Sequence, residues 1–260
     1  MSFVYLTKSI EFAAAHRYYR EEWDAAKNRA VFGSCYNEPG HGHNYLLDVT
    51  VAGHVDPVSG MVVNLYDLKI VLQQILEEFD HKHLNLDTPY FKDTVPTTEN
   101  ITRVLWRLLE RHRSIGALYK IQLAEDEDLR ATIMATHRTD RASVSRRYGA
   151  RCDSPNLYSR TARDARGYDY DLWVTVEGSI DATTGMVTDL QYLDRVVKDH
   201  VLPSLPNAAI SLRRAERGGT GEELVRAVWD LVLPHFQGQE ASLEQVKLIE
   251  TRDLTYEYAG

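Results

Sequence analysis

The chain opens on strand-like alternation and then changes period twice. Residues 3–15 read as a first strand, although Ala13 to Ala15 carry little β preference. Tyr18 to Phe32 is polar and irregular and is expected to be a loop. In Tyr45-Leu-Leu-Asp-Val-Thr-Val51 the side chains alternate, predicting a strand from His43 to Gly53. Asp56-Pro-Val-Ser-Gly60 reads as the turn after it. The period then becomes helical: Leu65, Leu68, Leu72, Ile75 and Phe79 recur at three, four, three and four, one apolar stripe behind a capping Asn64. A second helix over 98–112 buries Ile101, Val104, Leu105 and Leu108. Strands at 118–123 and 129–136 complete a strand-strand-helix-helix-strand-strand unit.

The unit then recurs. Residues 167–194 align without a gap on 42–69, at an offset of 125, with 13 of 28 positions identical. Gly53/Gly178, Asp56/Asp181, Gly60/Gly185 and Met61/Met186 are among them. Trp229 matches Trp106, and Thr220-Gly-Glu222 matches Thr97-Thr-Glu99. Two copies indicate a duplicated domain and not a solenoid. The expected boundary falls near 137–141, giving repeats over 1–138 and 139–260.

Composition narrows the class. Hydrophobic residues make up 43% and charged residues 26%, as in a soluble globular protein. A formal net charge of −8 argues against a general nucleic-acid binder. No apolar run reaches the ~18 residues of a membrane span, and the N-terminus lacks the regions of a signal peptide. Cys35 and Cys152 make no disulfide framework. A cytoplasmic protein is expected.

Candidate chemistry concentrates in Cys35-Tyr-Asn-Glu-Pro-Gly-His41-Gly-His43. Side chains at i and i+2 of a strand share a face, so His41 and His43 can converge on one ion. Catalytic zinc commonly takes three protein ligands and leaves one position open. His16, closing Phe12-Ala-Ala-Ala-His16, is the candidate third. In the second copy these positions are lost: His16 aligns with Arg146, His41 with Arg166, His43 with Tyr168 and Cys35 with Arg160. Cys152 is read as incidental and His83 is given no role.

The sequence resembles the 6-pyruvoyl-tetrahydropterin synthase family. The matching elements are Phe12-Ala-Ala-Ala-His16, Val31-Phe-Gly-Ser-Cys35, Gly40-His-Gly-His-Asn-Tyr45, Asp56-Pro-Val-Ser-Gly-Met-Val62 and Asn64-Leu-Tyr-Asp-Leu-Lys69. They continue with Asp80-His-Lys-His-Leu-Asn85, Asp87-Thr-Pro-Tyr-Phe91 and Thr97-Thr-Glu-Asn100, in the family's order. The resemblance implies an α+β protein of two tunnelling-fold repeats. Their antiparallel sheets would carry helices on one face, and homo-oligomers would close them into a β-barrel.

The resemblance further implies a zinc-dependent lyase. Its substrate would be the small molecule 7,8-dihydroneopterin triphosphate, its product 6-pyruvoyl-tetrahydropterin, and triphosphate would leave. His16, His41 and His43 would hold Zn2+, and Cys35 would be the general base, assisted by Asp80 and His81. Thr97, Thr98, Glu99 and Glu125 would meet the pterin. Glu250 aligns with Glu125 and is as readily a leftover of duplication as a ligand-binding residue. The rival branch, 6-carboxytetrahydropterin synthase, shares these residues, but its cysteine usually has three residues before the first histidine. Five intervene here, Tyr36 to Gly40. A third reading, from another class, is a non-catalytic pterin- or purine-binding scaffold.

Overall fold

The computed structural model describes residues 3–136, 140–152, 168–205 and 220–260. The chain divides into two units, one of Met1–Val144 with Ser179–Val187, the other of Ser145–Gly178 with Thr188–Gly260.

In the first unit, β1 (Phe3–His16) leads through α1 (Ala25–Phe32) and a 3-10 turn, Gly33–Tyr36, to β2 (His41–His54). There follow α2 (Leu65–Leu76), the two-residue β3 (Lys82–His83), a single helical turn α3 (Leu84–Asp87), α4 (Thr98–Leu109), β4 (Ala117–Ala124) and β5 (Leu129–Met134). The strands lie in the order β3-β1-β2-β4-β5. β1 and β2 pair antiparallel along their whole length, from Phe3 opposite His54 to His16 opposite His41. That register brings the ends of both strands, and with them the histidines, to one edge of the unit.

Alternation decides which face is covered. Tyr45, Leu47, Val49 and Val51 on β2 are fully buried, as are Ile121 and Leu123 on β4 and Ile133 on β5. Leu68 and Leu72 of α2 and Ile101, Leu105 and Leu109 of α4 are buried with them, the arrangement by which a sheet and helices hide one apolar face each. Helix starts follow the capping residues. The Asn64 side chain accepts from Tyr66 N at 2.9 Å, and that of Thr97 accepts from Asn100 N at 3.2 Å.

The structure differs from the sequence reading at helix faces and in two segments. Leu65, at the first turn of α2, is 53% exposed. On α4, Val104 and Leu108 are only half-buried, while Trp106 and Leu109 take their place in the core. Within the expected loop Tyr18–Phe32 stands α1, set by Asp24 accepting from Lys27 N and by the buried Asn28 amide donating to the carbonyls of Arg20, Trp23 and Asp24. This helix has caps but no apolar stripe, so periodicity cannot reveal it. Second, α2 stops at Leu76 although Phe79 stays buried. There the chain turns until His81 N donates to Ala13 O at 2.6 Å, with His81 at φ 57°.

The second unit orders its strands β6 (Arg141–Cys152), β7 (Tyr168–Ser179), β8 (Ser242–Thr251) and β9 (Leu254–Tyr258), with α5 (Leu190–Arg195) and α6 (Gly221–Val232). Its details repeat the first. The register shift between Thr50 and Val51 recurs between Thr175 and Val176, and the Asn64 cap recurs as Asp189 accepting from Gln191 N. His200 is exposed in a π-helical stretch, Val196–Val201, that continues α5. Residues 137–139, where the repeat boundary is expected, and Arg160 and Arg166 lie outside the described residues. No helix among the described residues is long and apolar enough to cross a membrane.

Candidate active site and metal centre

His16, His41 and His43 meet at the paired ends of β1 and β2. Their ring centroids lie 4.7 to 5.0 Å apart. The nitrogens His16 Nε2 and His41 Nε2 are 3.2 Å apart, about the ~3.3 Å spacing of two imidazoles on one tetrahedral ion. Together with a carboxylate oxygen of Glu125, one atom from each residue falls within 4.8 Å of all the others.

Two of these imidazoles, His16 and His41, are pushed toward the neutral form. His16 is fully buried, and loss of hydration, with His43 and His41 beside it, drives its pKa down to about 2. Burial and His43 lower that of His41. His43 Nε2 is buried with no hydrogen-bond partner among the described residues and faces Glu125 Oε1 at 3.4 Å. Three imidazole nitrogens turned on one point, one of them orphaned, fit a metal ion, because a buried polar atom without a partner is costly.

The surrounding shell was partly missed in sequence reasoning. The Tyr45 hydroxyl lies 2.9 Å from His16 Nδ1, where it orients the ring as the outer partner of a metal-bound histidine does. Tyr18 OH donates to Glu125 Oε2 at 3.0 Å. Burial raises the pKa of both phenols, so both stay protonated. Each tyrosine sits two residues beyond a histidine, His16 to Tyr18 and His43 to Tyr45. For His43 and Tyr45, both on β2, that is the same-face spacing of a strand and was legible in the sequence, whereas Tyr18 lies past the end of β1.

Glu125 is only 4% exposed, so it is no solvated acid of the Glu125-Asp-Glu-Asp128 run. Thr98 Oγ1 also donates to its Oε2. Burial raises its pKa, opposed by His43 and by the Thr98 and Tyr18 hydroxyls. Glu99, 3% exposed on α4, has its pKa pushed up to about 7 by burial, and its Oε1 accepts from Val187 N at 3.0 Å.

A pH effect follows from Glu99. Its folded value lies above the ordinary 4.5, so between those limits the folded state holds more proton than the unfolded one. Stability therefore falls as pH rises from about 4.5 through about 7, by on the order of 3 kcal/mol. Urea titrations at pH 5 and pH 8 are expected to show this loss in the wild type and a much smaller one in Glu99→Gln. Equal losses would remove Glu99 as its source.

The remaining candidates divide between two places. Asp80 and His81 form a pair, Nδ1 to Oδ2 2.9 Å, with His81 82% exposed. Asp80 accepts from Ala13 N at 2.8 Å, and chiefly that bond holds its carboxyl below the usual range. His81 and His43 line one open cleft of about 460 Å³, with Ala13, Ala14 and Gly42 in its wall. Cys35 instead packs against a cluster of Tyr18, Phe32, Val95 and Met186. It lies close enough to Tyr18 and Tyr45 to help raise their pKa values. In the second unit, Arg146 is tied to Asp194, Nε to Oδ1 3.1 Å, with the Tyr148 hydroxyl on the same oxygen. Glu250 accepts from Tyr256 OH at 3.2 Å.

The family model for 6-pyruvoyl tetrahydropterin synthase matches the chain twice, over residues 5–136 and 130–260, as a tandem duplication would. The 6-pyruvoyl tetrahydrobiopterin synthases of Pongo abelii and Homo sapiens are 44% and 43% identical over 124 residues, covering 47% of this chain and 86% of each relative. The solved Caenorhabditis elegans 6-pyruvoyl tetrahydropterin synthase is 36% identical, with a TM-score of 0.49, over 52% of this chain and 97% of that one.

Proposed function

Because the chain belongs to the 6-pyruvoyl tetrahydropterin synthase family, we propose that its first repeat, residues 1–138, is a zinc-dependent lyase. It converts 7,8-dihydroneopterin triphosphate to 6-pyruvoyl-tetrahydropterin and releases triphosphate. The observation that carries this reading is the buried carboxylate of Glu125 set 3.4 Å from an orphaned histidine nitrogen of a three-imidazole cluster. One group suits a pterin edge and the others a metal ion, and they adjoin.

His16, His41 and His43 hold the zinc. Bound there, zinc acts as a Lewis acid that makes side-chain hydroxyls and the neighbouring C–H protons of the substrate more acidic. Glu125 accepts two parallel hydrogen bonds from the amino group and ring N–H of the pterin. Thr98 and Tyr18 hold that carboxylate in place, and Thr97 and Glu99 line the same side. Cys35, as thiolate, removes side-chain protons. His81 supplies or relays a proton, its ring steadied by Asp80, as the carboxylate of a catalytic triad steadies its histidine. The side chain is oxidised as the dihydropterin ring is reduced, so the rearrangement needs no external hydride carrier.

Residues 139–260 form a degenerate tunnelling-fold repeat with a structural role, since Arg146 stands at a ligand position and is engaged by Asp194. The chain works as a cytoplasmic homo-oligomer whose sheets close into a β-barrel, which would cover open strand edges.

The test is mass spectrometry of products from zinc-loaded protein and dihydroneopterin triphosphate. A 6-pyruvoyl product is expected. A 6-carboxy product would keep the site but move the chain to the deazapurine branch. Unchanged substrate, from folded protein with zinc bound, would sink the reaction.

A further inference from the structure

The same turn occurs twice in this chain, and its two copies meet different surroundings. In the first, Asp56 N donates to Met61 O at 2.9 Å and Gly60 N to Asp56 O at 2.8 Å. The Asp56 carboxylate accepts from Val58 N, Ser59 N and the Ser59 hydroxyl. In the second copy, Asp181 N donates to Met186 O at 2.9 Å and Gly185 N to Asp181 O at 2.8 Å. Asp181 then accepts from Thr183 N, Thr184 N and the Thr184 hydroxyl. Each is a pre-formed, self-bonded loop with a glycine at positive φ, 71° at Gly60 and 78° at Gly185.

Their surfaces diverge. Around Gly60 an added Cβ would meet nothing within 4 Å among the described residues. Val58 is 94% and Met61 47% exposed. At Gly185 a Cβ would stand 2.3 Å from Asn100 Nδ2 and 3.1 Å from Thr97 Oγ1, while Met186 and Val187 are buried. The second turn, part of the first unit, is docked on α4 through its backbone. Thr97 Oγ1 donates to Gly185 O at 2.6 Å, and Val187 N donates to Glu99 Oε1 at 3.0 Å. Met186 joins Tyr18, Phe32 and Val95 in the cluster against which Cys35 packs.

We propose that the turn Ser179–Val187 is a positioning element for the pterin site. The repeat that has lost its own ligands would set Thr97 and Glu99 for the repeat that has kept them. This rests on the pterin reading given under Proposed function. The physical reason is rigidity. A buried carboxylate has several rotamers, and a backbone N–H from a loop locked by its own hydrogen bonds selects one of them. Glycine suits the contact, since a side chain here would be strained by the positive φ and would have to displace the Asn100 amide from its bond to Val95 O.

The experiment uses the full-length chain, with neopterin as a non-reacting probe followed by fluorescence titration, beside steady-state kinetics and zinc stoichiometry. Gly185→Ala is expected to raise the neopterin Kd at least tenfold. The loss should appear in KM more than in kcat, with zinc content unchanged. Gly60→Ala, equally strained in its backbone but touching neither Thr97 nor Glu99, is the matched control and should keep the wild-type Kd. Should Gly185→Ala fail to fold, Met186→Ala loosens the same turn without backbone strain and is expected to weaken neopterin in the same way. Wild-type neopterin affinity in the folded Gly185→Ala protein, or in Met186→Ala where the former does not fold, overturns the inference alone. Equal weakening by Gly60→Ala also overturns it, since backbone strain by itself would then explain the loss. A wild-type protein that binds no neopterin overturns the pterin reading and the inference with it.

Discussion

Cys35→Ala is expected to lower turnover of dihydroneopterin triphosphate by about 10²–10⁴-fold, the span over which a positioned general base contributes. Neopterin and zinc affinity should be nearly unchanged. The separation follows from where Cys35 sits. It occupies the short 3-10 turn that ends α1, against Tyr18, Phe32, Val95 and Met186, and it is not among the groups gathered around the histidine nitrogens. Removing its sulfur therefore takes away a base without taking away a ligand. The cost to folding should be small, because the side chain is only partly buried. Three measurements on one preparation check this: kcat, neopterin Kd and zinc per chain. Turnover equal to wild type would remove Cys35 as the base. Loss of zinc together with activity would show that the thiol belongs to the metal centre. His81→Ala is the useful comparison, since its ring is 82% exposed and reaches the cleft that His43 lines.

Much of this arrangement is legible from residue spacing, for reasons that can be named. β2 could be read because Tyr45, Leu47 and Val49 are buried while Leu46 is exposed and Asp48 half-buried, a difference that writes a period of two into the strand before Thr50, which is itself buried. The convergence of His41 and His43 needs only that period. His16 joins them because β1 and β2 pair in full register, a long-range fact that local pattern does not contain. α1 escaped because polar caps and the Asn28 amide fix it, with no apolar stripe to betray it. Glu125 looked like a surface acid by composition, and its burial depends on the side-chain bonds from Tyr18 and Thr98, far away in sequence. The duplication was plain, yet similarity between the copies could not show that one turn docks against Thr97 and Glu99 while its twin is exposed. That difference is made by what each turn meets, and the turns themselves are alike.

His16→Ala should weaken zinc by on the order of 10²–10³-fold. A structural zinc contributes ~10–16 kcal/mol shared among about four ligands, so each carries a few kcal/mol. His16 is the ligand for which the argument is sharpest. It is fully buried, its neutral form is enforced down to a pKa of about 2, and its Nδ1 is held by Tyr45. A pre-set neutral nitrogen loses little entropy and no proton when it coordinates. Tyr45→Phe keeps the packing and deletes only the hydroxyl, and should weaken zinc by about 10–100-fold, the usual effect of removing an outer partner of a ligating histidine. Glu125→Gln separates the two roles open to that carboxylate. With Glu125 serving the pterin, the variant keeps zinc and loses neopterin; with Glu125 serving as a fourth ligand, both fall together. Chelator competition gives the affinities, and the thermal shift on adding zinc gives an independent reading, because an ion that binds only the folded state raises Tm in proportion to RT ln(1 + [L]/Kd). A His16→Ala protein that holds zinc at wild-type affinity would dismiss the three-histidine centre.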